Sequence, residues 1–373
     1  MRWSSISSHN SHPPKPVDHA SILRETSQRL GFDALGFAPA EIPPGAEHLR
    51  HWLSLSYQGE MDWMARNSEL RADPRQYDAQ AKTIIVAGVS SRQSSPPLRR
   101  GRIAAYAQGD DYHESLREKL TQLAEQTLAQ WGASYRICVD SSPLMEKPIA
   151  AMAGLGWQGK NTLLIHTEHG PWLMLGSLLT DLVITPSAPS QDHCGTCTRC
   201  LDACPTQAFP QPYVLDARRC LAYLTIEHPG SIPEEFRPLI GDRLFGCDEC
   251  LDVCPWNRHA QQSRELSFTP IPRPDLTTML SWDDTRFRKE FRGTPIFRLK
   301  RGRWLRNICI VLGNIGTSHD LPALQASCQD ADPVVREHAQ WAVTQIQTRE
   351  PTPALPPAPK SSADRDFRHS SLG

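Results

Sequence analysis

The cysteine spacing constrains this chain more than any other feature in it. Cys194, Cys197, Cys200 and Cys204-Pro205 form a C-x2-C-x2-C-x3-C-P run, and Cys247, Cys250 and Cys254-Pro255 repeat its second half. Three thiolates two residues apart wrap one face of an iron–sulfur cubane, and the fourth, turned outward ahead of a proline, ligates a different cluster. Such a run demands a second site. Leu244 stands where the second run would carry its first thiol, and Cys220, between the runs, replaces it. Cross-ligation then assigns Cys194, Cys197, Cys200 and Cys254 to one [4Fe–4S] cluster and Cys204, Cys220, Cys247 and Cys250 to the other. Zinc ribbons use two C-x2-C pairs and need neither the third cysteine nor the C-P ending. Disulfides between residues two or three apart have poor geometry. Of the 11 cysteines, Cys138, Cys309 and Cys328 remain; they sit in apolar periodic segments and read as small core residues.

A length of 373 residues leaves room for about two to three domains. Residues 1–16 are rich in Ser and His without an apolar core, so a disordered leader is expected there and not a signal peptide. No apolar run approaches the roughly 18 residues of a membrane span. Cluster chemistry favours a reducing compartment, so the expected location is the cytoplasm. Strands are expected at 32–38, 82–89, 102–107, 135–139, 161–166 and 172–179, and helices at 17–30, 47–57, 112–131 and 146–154. Their alternation makes 17–189 an α/β domain. Residues 59–64 and 70–74 read as surface turns. Residues 190–257 are the ferredoxin-type two-cluster module. Residues 258–347 combine a basic linker with helices near 304–316, 320–324 and from 332 onward. These have the look of a short HEAT-like repeat, with too few units to stand free. Residues 348–373 are rich in Pro and Ser and are expected to be a disordered tail.

Gly154-Leu-Gly156-Trp-Gln-Gly159-Lys160-Asn161 satisfies G-x-G-x-x-G and nearly satisfies a P-loop. Both nucleotide readings fail, because a helix precedes, a strand follows and Asn161 takes the hydroxyl position. The glycines serve a tight turn or a close approach of backbone to a flat ligand. Asp140 lies just past a strand end, where α/β sheets place chemistry. It reads equally as an N-cap for the helix from 146. Asp111-Tyr-His113-Glu-Ser-Leu116 is a near miss for the D-x-H-x-x-G box that gives histidine to cobalt. Leu116 replaces its glycine, so His113 is expected in the first turn of a helix and not on a metal. Between 286 and 306 nine Lys or Arg face one acid, Glu290, with Phe287, Phe291, Phe297 and Trp304 interleaved. Basic groups neutralise phosphate and aromatics stack on bases, so this is either an RNA surface or a solvated face with its aromatics turned inward. The net charge of −1 excludes a uniformly basic coat but not such a patch.

Taken together, Leu70-Arg71-Ala-Asp-Pro74, the Asp140 turn, the Gly154–Asn161 stretch, the eight cysteines and the segment 240–250 resemble the epoxyqueuosine reductase family of the tRNA queuosine pathway. The resemblance runs from about 17 to 347. It implies cobalamin between the α/β domain and the cluster module, with Arg71, Ala104, Asp140, Leu164, Leu175, Ala222 and Thr225 as contacts. It implies that the epoxide of epoxyqueuosine at the tRNA wobble position becomes an alkene, with Asp140 as proton donor. That role favours a carboxyl whose pKa burial has raised. It further implies tRNA as partner and an electron donor such as a ferredoxin or flavodoxin; the basic stretch at 286–306 then offers Arg298, Lys300, Arg301 and Arg303 as the expected tRNA contacts. A monomer is expected. The alternatives are a related cobalamin–iron–sulfur reductase of a small molecule, such as a reductive dehalogenase, and a plain electron carrier.

Overall fold

The computed structural model describes residues 17–93 and 100–349; the expected leader, and the expected tail beyond its first two residues, lie outside them. The strand Thr83–Ser90 is buried along its whole length. Its side chains alternate between faces. Ile85, Ala87 and Val89 join Leu116, Leu120 and Leu123 of the helix Tyr112–Gln126 on one side. Ile84 and Val86 join Ile149 of the helix Glu146–Met152 on the other. The sheet runs in the order Ala34–Pro39, Thr83–Ser90, Leu173–Thr180, Tyr135–Cys138, and every pair is antiparallel. The domain is therefore mixed α/β as expected, but its helices are not crossovers between parallel strands.

Three local expectations change. The segments read as surface turns fold into the short helices Asp62–Arg66, Ser68–Ala72 and Pro74–Tyr77, with Arg71 and Ala72 buried. The strand at 102–107 shrinks to Arg102–Ile103, followed by the 3-10 turn Ala105–Ala107. The strand at 161–166 shrinks to Leu164–Ile165, which pairs with Trp157–Gln158 in a hairpin.

Arg102–Ile103 pairs in parallel with Arg243–Phe245, joining the first domain to the cluster module. The helix Lys300–Ile315 is the spine of the other half. Arg306 is 0% exposed and donates to the carbonyls of Leu224, His228 and Gly230. Asn307 donates to those of Thr225 and Leu244, and Asn314 to those of Arg237 and Gly241. A buried cation is costly unless hydrogen-bonded. The end of the short helix Leu221–Ile226 supplies acceptors that have no intrahelical donor. One apolar core runs from Leu221, Leu224 and Phe245 through Phe287, Phe291 and Trp304 to Ile308 and Ala339. Leu321–Ser327 and Pro333–Thr348 complete the chain, the latter capped by Asp332, which accepts from the Val334 amide. The terminal helices thus pack on the module, as so few units require. Among the described residues no helix is long and apolar enough to cross a membrane.

Candidate active site

The motif cysteines lie near enough to act on one another's acidity. Burial pushes the Cys200 thiol up to about 11, and Cys194, Cys197 and Cys254 push the same way. Burial also raises Cys250, where Cys220 and Cys247 act next and Cys200 more weakly. Cys204 in turn acts on Cys220. Thiols that repel one another are relieved by a shared cationic centre, and four cysteines per group is the donor set of a four-iron cluster. Among the described residues no three His, Cys, Asp or Glu side chains close on a single ion. The Trp157 indole donates to Cys194 Sγ at 3.4 Å and the Ala208 amide to Cys204 Sγ at 3.3 Å. Cys138 and Cys309 are buried and Cys328 half-buried, apart from both sets.

The glycine stretch clamps this module. Gly156 has φ +149°, and a Cβ there would sit 2.1 Å from the Ile165 carbonyl oxygen, so only glycine lets the hairpin close. The hairpin then presents Lys160 to the carbonyls of Gly195 and Cys197 at 2.6 and 3.0 Å, and Asn161 to that of Cys250 at 3.2 Å. The loop that mimics a phosphate cradle therefore holds both cysteine runs.

Asp140 follows the edge strand Tyr135–Cys138 and adopts φ +47°, a strained value for a residue with a side chain. It does not cap the next helix, whose N-cap position is Met145 without a side-chain bond. Instead the Asp140 amide donates to Glu146 Oε1 at 2.8 Å. Its carboxylate meets His113 Nε2 at 2.9 Å, and its side chain stays 52% exposed. His113 occupies the first turn of Tyr112–Gln126, as expected, with its ring buried. Asp111 caps that helix through the His113 amide and takes His113 Nδ1 at 2.5 Å. Arg298 Nη1 lies 3.2 Å from His113 Nε2, and Nη2 donates to Asp111 at 3.4 Å.

The charges follow from these contacts. Burial works against a charged His113, but the hydrogen bonds to Asp111 and Asp140 outweigh it and hold the imidazole above its ordinary pKa. Burial, the largest influence, likewise works against a charged Asp140, but the His113 hydrogen bond and the His113, Arg298 and Lys147 charges together outweigh it and hold the carboxyl below the usual range. This corrects the expectation of a raised Asp140: the resting proton belongs to histidine. Glu146 takes the raised value instead, pushed up to about 7 by burial and then by the Asp140 charge. Sequence reasoning missed His113, Glu146 and Tyr106, whose hydroxyl is raised by burial and by Asp248, Asp140 and Glu227. The Asp-x-His spacing at a helix start was the available signal for the first.

The expected cobalamin contacts fall in two groups. Arg71 is 6% exposed, stacks over Trp63 at 5.1 Å and reaches the Leu144 carbonyl only at 3.5 Å. Its Nε has no partner, and burial lowers the guanidinium against the opposing pull of Glu146 and Asp140. An orphaned buried cation beside Asp140 suits a polar ligand arm. Leu164 and Leu175 share an apolar cluster with Leu144. Ala104 and Thr225 meet at the Gly246 turn, where the Gly246 amide donates to Thr225 Oγ1 and Ala104 donates to Phe245. Ala222 lies half-buried on the same short helix as Thr225. The Lys147 charge acts weakly on both Asp140 and Cys220.

The basic stretch divides. Arg298 is committed to Asp111 and His113. Arg301 pairs with Asp330 at 2.5 Å and donates to the Trp282 carbonyl. Arg303 donates to the carbonyls of Leu299, Ile226 and Glu227. Phe287, Phe291 and Trp304 are buried and Phe297 is 38% exposed. Three of the four expected tRNA contacts thus already bind protein groups. The exposed cations are Arg288, Lys289, Arg292 and Lys300 beside the half-engaged Arg286 and Arg298.

Comparison with known proteins bears on this geometry. A family described as "4Fe-4S double cluster binding domain" matches residues 193–257, and "Epoxyqueuosine reductase QueG, DUF1730" matches 71–141. The epoxyqueuosine reductase of Xanthomonas campestris is 42% identical over 345 residues, covering 89% of this chain and 97% of its own. That of Escherichia coli K12 is 38% identical, covering 89% and 91%. A crystal structure of epoxyqueuosine reductase with an epoxyqueuosine-modified tRNA-Tyr stem loop superposes with TM-score 0.81 at 32% identity, covering 88% of this chain and 90% of that one. The Bacillus subtilis enzyme, solved with its catalytic aspartate loop swung out of the active site, gives 0.80 at 31% identity, with the same coverage.

Proposed function

The chain belongs to the epoxyqueuosine reductase family, and we propose that it reduces epoxyqueuosine to queuosine at the wobble position of tRNA, with Asp140 delivering the proton that the opening epoxide oxygen takes up. The observation that carries the reading is the Asp111–His113–Asp140 network at the end of the edge strand of the first domain. Loss of the epoxide oxygen as water needs two electrons and two protons. Bound cobalamin supplies a low-valent cobalt able to meet the substrate carbon, and the two clusters supply electrons one at a time from a carrier of the ferredoxin or flavodoxin kind. Arg71 would hold a polar arm of cobalamin with the N–H it has to spare, and Leu164, Leu175, Ala104, Ala222 and Thr225 would contribute the remaining contacts. Cys194, Cys197, Cys200 and Cys254 hold one cluster; Cys204, Cys220, Cys247 and Cys250 hold the other.

The proton inventory at rest is an imidazolium between two carboxylates. As negative charge grows on the epoxide oxygen, Asp140 takes the His113 proton and hands it outward, leaving His113 neutral. Asp111, itself braced by Arg298, keeps the ring aligned. Asp140 reaches substrate because its side chain is half exposed at a turn, and the swung-out aspartate loop of the Bacillus subtilis relative supports reading that turn as movable. Phosphates of the anticodon arm meet Arg288, Lys289, Arg292 and Lys300. We read the terminal helices as HEAT-like and the enzyme as cytoplasmic.

The test is anaerobic. Purified protein should carry about eight iron and eight sulfide, the sum for two four-iron clusters, and convert epoxyqueuosine in a tRNA stem loop to queuosine. Four iron, or stoichiometric zinc, would remove the two-cluster reading. Eight iron without conversion would favour a plain electron carrier.

A further inference from the structure

We infer that Glu146 is the positioning residue for Asp140: its carboxylate anchors the Asp140 amide and so serves as the pivot on which the acid turns between His113 and substrate. The inference rests on the functional reading of Asp140 given above.

Among the described residues Asp140 is one of six other than glycine with positive φ. A left-handed backbone at an aspartate persists only where surrounding contacts hold it. Two contacts hold this one. The carboxylate end is tied to His113 Nε2 at 2.9 Å, and the backbone end to Glu146 Oε1 at 2.8 Å. The other bonds of the turn run from Ser141 Oγ to the Val139 carbonyl at 3.3 Å, from the Leu144 amide to the Ser142 carbonyl at 2.8 Å and from Arg71 Nη1 to the Leu144 carbonyl at 3.5 Å. None of them grips Asp140 itself.

The two ties differ in what catalysis asks of them. Delivering a proton to substrate requires the Asp140 side chain to leave His113, at least in part. The backbone tie involves no group that reacts. It alone can stay made through the turnover, and it fixes the Cα from which the side chain swings. Glu146 is well placed for this. It stands in the first turn of Glu146–Met152, whose Ile149 and Ala150 are buried in the core beneath the sheet. The anchor is therefore seated on the rigid part of the domain and the acid on the movable part. An ordinary first-turn glutamate at this position would face solvent and the helix N-terminus; this one faces back along the chain to the residue six positions earlier. Its charged neighbours are Asp140, Lys147, His113 and Arg71, so it sits inside the same polar group as the acid it holds.

The experiment compares parent, Glu146→Gln and Glu146→Asp as anaerobically purified holoenzymes. Glutamine keeps an acceptor oxygen at the same reach. Aspartate keeps the charge but is one methylene short. Hydrogen exchange at the Asp140 amide, read without substrate, should be slow in the parent and in Glu146→Gln and fast in Glu146→Asp. Single-turnover conversion should fall by about 10-fold or more in Glu146→Asp, the scale of an ångström-sized misplacement. Glu146→Gln should recover most of that loss, and stem-loop affinity should be the same in all three. Slow exchange and parental turnover in Glu146→Asp would overturn the inference. So would loss of both in Glu146→Gln, and so would equal loss of melting temperature in both variants with the folded fraction turning over normally. A parent that leaves epoxyqueuosine untouched would sink the functional reading, while the exchange result would still decide the anchor.

Discussion

Replacing Asp140 with asparagine probes the relay at its outer end. The amide has nearly the same shape and can still hydrogen-bond His113, so clusters, cobalamin and fold should persist. It has no acid proton to give, and general acid catalysis is worth about 10²–10⁴-fold; a 100-fold loss corresponds to about 2.7 kcal/mol of barrier. The ion pair with His113 contributes little stability, because the Asp140 side chain is 52% exposed and half-screened pairs are worth at most about 1 kcal/mol. A large kinetic loss with a melting change of only a few degrees is thus expected. His113→Gln should also slow conversion, since glutamine cannot hold the resting proton. The decisive measurement is the double variant in single-turnover conversion of an epoxyqueuosine stem loop. Residues acting through one another lose their effects together, so the double should be about as slow as Asp140→Asn alone. If instead the two losses multiply, His113 and Asp140 act independently and the relay is wrong.

Two further outcomes follow from the same geometry. Alanine at Arg288, Lys289, Arg292 and Lys300 should weaken stem-loop binding and flatten the plot of log affinity against log salt by up to about 0.7–0.9 for each phosphate no longer neutralised, whereas alanine at Arg303 should lower the melting temperature and leave the slope alone; a slope change only in the Arg303 variant would reverse the assignment. Melting temperature against pH should show both limbs of the network: the His113 contribution is full below its unfolded pKa of about 6.5 and fades as pH climbs through its raised folded value, while those of Asp111 and Asp140 are full above about 3.9 and fade as pH falls through their lowered values. His113→Gln should flatten the alkaline limb, and an unchanged limb would mean that His113 is not the group titrating there.

The cysteine pattern was legible because ligand spacing is a local property of the chain, and the central strand because an unbroken β-branched run needs cover on both faces. Asp140 stood out by its place after a strand, but its chemistry did not, because its pKa depends on a histidine 27 positions away. His113 was read as a helix residue, which it is; that its ring also faces Asp140 is a matter of tertiary packing. Arginine is ambiguous in sequence for a similar reason. Arg301 and Arg303 look like phosphate ligands until the carboxylate of Asp330 and the carbonyls of Ile226 and Glu227 come to meet them. The glycine stretch was legible as a tight turn and not a phosphate cradle, and its conformational freedom serves a hairpin closure; that its lysine grips carbonyl groups of the cysteine run is again tertiary packing.

The parallel seam between Arg102–Ile103 and Arg243–Phe245 has a consequence for how the molecule is assembled. Its two strands are far apart in the chain, and Cys247 and Cys250 follow directly after the second. Pairing across so long a loop forms late and slowly relative to local structure. The first domain emerges from the ribosome well before the second strand, so it is there to serve as the template on which the late cysteines come into register. On the proposed ligand sets, a half-made chain offers Cys194, Cys197 and Cys200 to incoming iron while each cluster lacks at least one thiol until the segment after the seam has been synthesised, so a chain stalled or cut before Phe245 would be left with neither cluster complete.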